Sequence, residues 1–258
     1  MARAFVRRDA RVAWSYRFPF VLEVAAAAFT IIAYRFVSRL VSPGAVAGGY
    51  FPFVVAGLTA AAFLQAAVSV LGGNLRQEQV QGTLEVILSH GLPVPTLATA
   101  MSAYPLLTAA ARAAVYVGLA AVLGARAPGA NWGLGIAATA LGSLSFAGIG
   151  LMGAALVLVL RQVLAATTWL ISVLALAGGV LFPIRLLPDW ARSVSELSPF
   201  TLTLGLLRRA VLEGASWGRE WTSMAVLGAV AVAWVLVGFG ALWLSLARLR
   251  RTGAVGGY

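Results

Sequence analysis

Two stretches of this 258-residue chain have the spacing of a reactive site. Gly148, Gly150 and Gly153 reproduce GxGxxG, whose glycines let a turn wrap a dinucleotide pyrophosphate. Gly214-Ala215-Ser216-Trp217-Gly218 reproduces GxSxG, the elbow that presents a nucleophilic serine. Both fail on context. The first sits inside an apolar run with no strand before it and no acid after it until Asp189. Small residues there are better suited to letting helices approach closely. The second would need a histidine base, and the one histidine, His90, falls on the opposite side of the membrane in the topology derived below. His90 reads instead as a cation at a helix C-terminus. The eight carboxylates show no metal-ligand spacing. The cations are nineteen arginines with no lysine, so the GxxxxGK[ST] phosphate loop cannot be formed. The residues therefore predict no catalytic, cofactor or metal site, and no enzyme activity.

Two other groups of residues carry more information. Arg112 lies past the middle of an apolar run, beyond a proline, Pro105. A charge at that depth costs several kcal/mol and usually faces a bundle interior or a watery path. Hydrogen bonding to backbone carbonyls and snorkelling outward are the structural alternatives. Glu23, in the first apolar run, is equally ambiguous. The second group is a polar island, Gly73 to Pro95, between long apolar runs. Inside it the spacing predicts a short helix. Thr83 can cap it, Glu85 complements its first turn, and Gly91 with Pro93 stops it. Val80, Leu84, Ile87 and Leu88 share one face; Gln77, Gln81 and Glu85 occupy the others. Such a helix suits two places: the lipid headgroup layer, or a groove on a soluble partner that transmits force to the membrane.

The elements that must position these groups follow from composition. Hydrophobic residues make up 61% of the chain and charged residues 10%, and the mean hydropathy is +0.92. Soluble domains carry roughly 25% charged residues, so this is an all-α integral membrane protein rather than a soluble core. Spans of about twenty apolar residues are expected near 18–37, 51–72, 97–123, 132–160, 163–182 and 223–246. The net charge of +11 sits largely beside these runs, which argues for membrane anchoring and against nucleic-acid binding. A secretory signal peptide is rejected, because the first apolar run is too long and Arg35 and Arg39 separate it from any cleavage site.

Six spans place both termini on one side. Arg3, Arg7, Arg8, Arg11 and Arg17 at one end, and Arg248, Arg250 and Arg251 at the other, make that side cytoplasmic. Arg without Lys, with abundant Ala and Gly, suggests a GC-rich bacterial genome and hence the bacterial inner membrane. Residues 3–16 can form an amphipathic helix on an anionic leaflet, or a disordered basic tail. On the outer side, residues 183–222 hold two helix signals. Trp190, Val194 and Leu197 recur at helical spacing. Ser198-Pro199 reads as an N-cap with Pro at the first helical position. Phe200, Leu204, Leu207 and Val211 then share a face, and Gly214 closes the helix.

In this order the features resemble the ABC-2-type permease subunits of bacterial ABC exporters. Trp14-Ser15-Tyr16-Arg17-Phe18-Pro19-Phe20 resembles the family's approach to its first span. Tyr50-Phe51-Pro52-Phe53-Val54-Val55-Ala56-Gly57 resembles the start of its second. Glu78-x-x-x-Gly82-Thr83-Leu84-Glu85, with Pro93 or Pro95 downstream, is similar to its cytoplasmic E-x-x-x-GTLE segment. Phe182-Pro183, Leu187-Pro188-x-Trp190 and Ser198-Pro199-Phe200, followed by Arg208, resemble its outer region, with Ser198 where Asn is usual.

The resemblance implies one transmembrane domain over residues 1–258, with an interfacial helix (1–17), a cytoplasmic coupling loop (74–95) and an outer helical segment (183–222). It implies a second permease copy, commonly identical, and two ABC ATPase subunits that bind ATP and Mg in place of this chain. Glu78, Gly82, Thr83, Leu84, Glu85, Ile87 and Leu88 would then contact an ATPase. Pro183, Pro188, Trp190, Ser198 and Pro199 would belong to the outer gate. Arg112, with Thr167, Thr168 and Ser172 as sparse polar points, would line the path, which suits an amphipathic or hydrophobic cargo among membrane lipids. An ion-coupled secondary transporter and a non-transporting assembly factor are the alternative readings. The former usually needs midplane ionisable groups and repeats with broken helices, and no internal repeat is evident.

Overall fold

The computed structural model describes residues 17–41, 46, 48–80, 94–125, 127, 129–160, 164–196 and 198–252. Among them the chain forms α1 (Arg17–Val37), α2 (Tyr50–Val80), α3 (Val94–Val122), α4 (Trp132–Leu160), α5 (Leu164–Ala177), a 3₁₀ turn (Ile184–Leu186), α6 (Asp189–Glu196), α7 (Pro199–Leu212) and α8 (Trp217–Thr252). No strand occurs among the described residues. This is what the apolar runs demand, because a helix satisfies its own backbone groups where water is absent.

Three stretches are long and apolar enough to cross a membrane: Tyr50–Val68, Trp132–Leu156 and Trp217–Ser245. Shorter apolar helices cover Val24–Val37 and Leu107–Val122. The first two long stretches are 67% buried and the third 22% buried, so α2 and α4 form the centre and α8 lies at the edge. α3 packs on α2, and α1 packs on α3. At the α1–α2–α3 contact, Ile31, Phe51, Val55 and Ala120 are buried together.

One close helix crossing uses Gly148, the first glycine of the pattern that mimics a dinucleotide motif. A Cβ on Gly148 would strike the Trp234 backbone, and one on Gly238 would strike the Gly148 carbonyl. Missing side chains thus let α4 and α8 touch backbone to backbone, as small residues do between membrane helices.

The boundaries differ from expectation in three places. α2 runs to Val80, well past Gly72, so the first part of the expected loop is helix. Polar residues such as Gln77 and Glu78 keep helical propensity, and only the apolar stripe ends at Gly72. α5 stops at Ala177 instead of continuing to Phe182. Gly179 takes a φ of +75°, and Gly178 is pressed against the Phe200 ring, so helical continuation is lost there. α8 starts at Trp217, six residues before the expected span, with Glu220 in its first turn. The expected helix at 3–16, the helix expected after Gly82 and residues 161–163 between the fourth and fifth expected spans lie outside the described residues.

Candidate functional site

The segment between α5 and α8 is built on α7. Phe200, Leu204 and Leu207 enter a core with Ala56, Ala60, Leu64, Phe146 and Val180. The rings of Phe146 and Phe200 are 5.7 Å apart at 43°. On its other side α7 sends Leu206 and Ala210 into a cluster with Leu134, Ala138, Met224 and Leu227. The face read from sequence is therefore correct, but α7 is buried on more than that face. Ser198 occupies the N-cap with extended backbone and Pro199 follows at N1, as expected, yet the serine side chain makes no capping bond. Gly214 ends the helix with a φ of +64°, and a Cβ there would strike the Gly129 carbonyl.

Two adjacent arginines hold α7 on opposite sides. The Arg208 guanidinium donates through Nη2 to the carbonyls of Val180 (3.0 Å) and Phe53 (3.2 Å). It also lies 3.3 Å from the centroid of the Phe53 ring. Gly57 makes room for it, because a Cβ there would meet the Val180 carbonyl and crowd Nη2. Loss of water pulls the Arg208 guanidinium down to about 9, which leaves it cationic at neutral pH. Carbonyl dipoles and the ring face compensate that desolvation. Arg209 points the other way, and its Nε is 3.0 Å from Oε1 of the buried Glu220 on α8. Asn131 completes the clamp. It donates from its backbone to the Ala210 carbonyl (2.9 Å) and from its side chain to the Ala215 carbonyl (3.0 Å), and its Oδ1 accepts from Leu134 N–H (3.1 Å).

The other residues expected at the outer gate sit on a different kind of element. Pro183 precedes the 3₁₀ turn and Pro188 precedes α6. Trp190 on α6 is 76% exposed. Arg192 and Asp189 form a loose surface pair at 3.8 Å. Ser195 is buried and donates to the Ala177 carbonyl at the end of α5.

Between α2 and α3, Arg112 Nη1 donates to Gln65 Oε1 at 3.3 Å. Gln65 is exposed, whereas nearly every neighbour along Phe51–Val68 is packed against other helices. Ten residues separate Arg112 from the end of α3, roughly 15 Å at the helical rise, so the pair lies well inside the helix. Of the remaining predicted path residues, Thr167, Thr168 and Ser172 are on α5, and Ser172 is exposed. Glu78 lies in the last turn of α2. Gly82, Thr83, Leu84, Glu85, Ile87 and Leu88 lie outside the described residues. The residues expected at the outer gate thus lie between the end of α5 and the start of α7, and Arg112 lies apart from them on α3. Residue-level reasoning passed over Gln65 and Asn131. A lone amide within an apolar run was the available signal for Gln65.

No curated protein matches the chain. The model of the ABC-2 type transporter family matches residues 2–212, from before α1 to the end of α7. With that match over most of its length, on a helical body with stretches long and apolar enough to cross a bilayer, this multi-pass membrane protein belongs to the ABC-2 type transporter family and is a transport permease of an ABC system.

Proposed function

We propose that the chain is the membrane half of an ATP-driven exporter. It has six spans, α1 to α5 and α8, with both termini in the cytoplasm of a bacterial cell. Two copies enclose the path, and two separate ABC ATPases drive it. The observation that carries this reading is the family match over residues 2–212. The absence of lysine supports a separate ATPase, since these 258 residues offer no P-loop. The Gly82–Ser89 segment seats on an ATPase, with Leu84, Ile87 and Leu88 filling a groove as amphipathic helices do on soluble partners. The sparse polar points along the apolar helices favour an amphipathic or hydrophobic cargo. Arg112 with Gln65 sits at mid-depth on that path.

Purification of the tagged chain from its own membranes tests the reading. An ATP-hydrolysing subunit with Walker motifs should co-purify. Leu88→Asp would bury an unpaired carboxylate at the contact, at a cost of several kcal/mol, and should abolish that association and transport without impairing insertion. Retained association and transport would place this helix on lipid instead. The chain has no cysteine, so single cysteines report topology cleanly. Ser89→Cys should react from the cytoplasm and Ala130→Cys only from outside; reaction of both from one side would defeat the six-span layout.

A further inference from the structure

The outer cap contains two attachments of different kinds. α7 is tied to α2, α4 and α8 by packed cores on two sides, by Arg209 with Glu220, and by Asn131. The stretch from Gly178 through α6 is bent at Gly179 (φ +75°) and breaks into a 3₁₀ turn. Most of its side chains are exposed or half-buried, with Leu186 69% and Trp190 76% exposed. The exceptions lie where this stretch meets the body. Val180 is 5% exposed; its side chain enters the edge of the core that holds Phe200 and Leu204, and its carbonyl accepts from Arg208. Ser195 donates to the Ala177 carbonyl at the end of α5, immediately before the bend, so that bond sits at the hinge.

We propose that the outer cap divides at the contact between Arg208 and the Val180 carbonyl: α7 stays fixed to the helical body, and the segment from Gly178 through α6 is a hinged lid that Arg208 latches shut. Arg208 suits this role because its two carbonyl partners belong to different sides. Phe53, which supplies both a carbonyl and the ring, is on the fixed side; Val180 is on the lid. When the lid lifts, the guanidinium keeps its ring and one carbonyl, so it is never stripped of all partners. Arg208 Nε is buried with no acceptor among the described residues, so the closed contact is short of a full complement of hydrogen bonds. A latch that is incompletely satisfied when closed, and partly satisfied when open, can switch. Arg208 is thus a positioning residue. Naming the lid as the exit of a transport path rests on the function proposed above; the latch itself does not.

The test uses the full chain in membranes and a membrane-permeant maleimide. Val180→Cys reports the lid, and Ala210→Cys, fully buried on the fixed side of α7, reports the body. With Arg208 present, both should react slowly. Arg208→Met should speed labelling at Val180→Cys at least tenfold and leave Ala210→Cys protected. Arg208→Lys, which keeps a cation, should fall between. Unchanged Val180→Cys labelling in Arg208→Met overturns the latch. Parallel gains at both cysteines in Arg208→Met and Arg208→Lys also overturn it, since they would mark Arg208 as a general stabiliser.

In the assembled transporter, ATP turnover should accelerate labelling of Val180→Cys but not of Ala210→Cys. If the complex hydrolyses ATP and moves cargo while Val180→Cys stays protected, the lid is not the exit and the inference fails. If no ATPase associates at all, the transport reading fails, and the Arg208 comparison still decides the latch.

Discussion

α6 and α7 are consecutive helices in the segment between α5 and α8, each opened by a proline, yet they are held in different ways. α7 buries Phe200, Thr203, Leu204, Leu206, Leu207 and Ala210 and sends one arginine to each flank. α6 exposes Asp189, Trp190, Ser193 and Glu196 and buries Ser195. The difference shows that a helix in the outer segment is not stable in itself. A helix of eight residues, such as α6, is too short to persist on propensity, so its stability is set by what it packs against. α7 is structural in the sense that removing it would open two cores. α6 is attached mainly through its ends, which is the arrangement a moving part requires.

Mutations can break or sharpen this contrast, each read as the thermal unfolding of the purified chain in detergent. The largest effect should come from Phe200→Ala. Phe200 is fully buried against Phe146 and Gly178, and emptying such a site costs about 3–5 kcal/mol. A loss below about 1 kcal/mol would mean that α7 is not the fixed element. Next comes Arg209→Ala, which strands Glu220, whose side chain is 6% exposed. Breaking a fully buried pair costs about 3–5 kcal/mol; Arg209 is 38% exposed, so a discounted loss of about 2 kcal/mol is expected. Glu220→Gln in the same background should recover part of it, because a neutral amide needs no counter-charge.

Gly178→Ala probes the boundary between the two regions. Its Cβ would fall on the Phe200 ring, and overpacking of this kind costs about 1–3 kcal/mol. An unchanged midpoint would show that the α5 end already yields, which would extend the moving region towards the membrane. The smallest effect belongs to Trp190→Ala. With Trp190 76% exposed, the change should stay within about 0.5 kcal/mol and should alter transport, if anything, more than stability. A large loss there would place α6 with α7 in the rigid body.

Much of this architecture was legible in the residues. Apolar length alone marks the three stretches long enough to cross a membrane, because the bilayer imposes a thickness that helical rise converts into a residue count. Pro199 and Gly214 mark both ends of α7, because each acts through its own backbone geometry. The spacing of Phe200, Leu204 and Leu207 showed one buried face. The ends of α2 and α5 were less legible. Hydropathy falls at Gly72, but the helix continues as long as polar residues tolerate it; at α5 hydropathy continues, but Gly179 bends the chain.

What the sequence by itself determined, then, is the membrane class, the helical content and the outer helix with its caps, all of which are set by groups within a turn or two of one another. Only the tertiary structure decided which charges matter. Arg208 and Arg209 are identical in type and adjacent in sequence. One is sunk between α2 and the end of α5, on carbonyls 28 and 155 residues away; the other meets a carboxylate eleven residues on. The roughly 100° between successive side chains on a helix sends them to opposite flanks, and what waits on each flank depends on how distant helices pack. The same holds for Arg112 and Gln65, 47 residues apart, whose meeting follows from the packing of α2 against α3 and from nothing local to either.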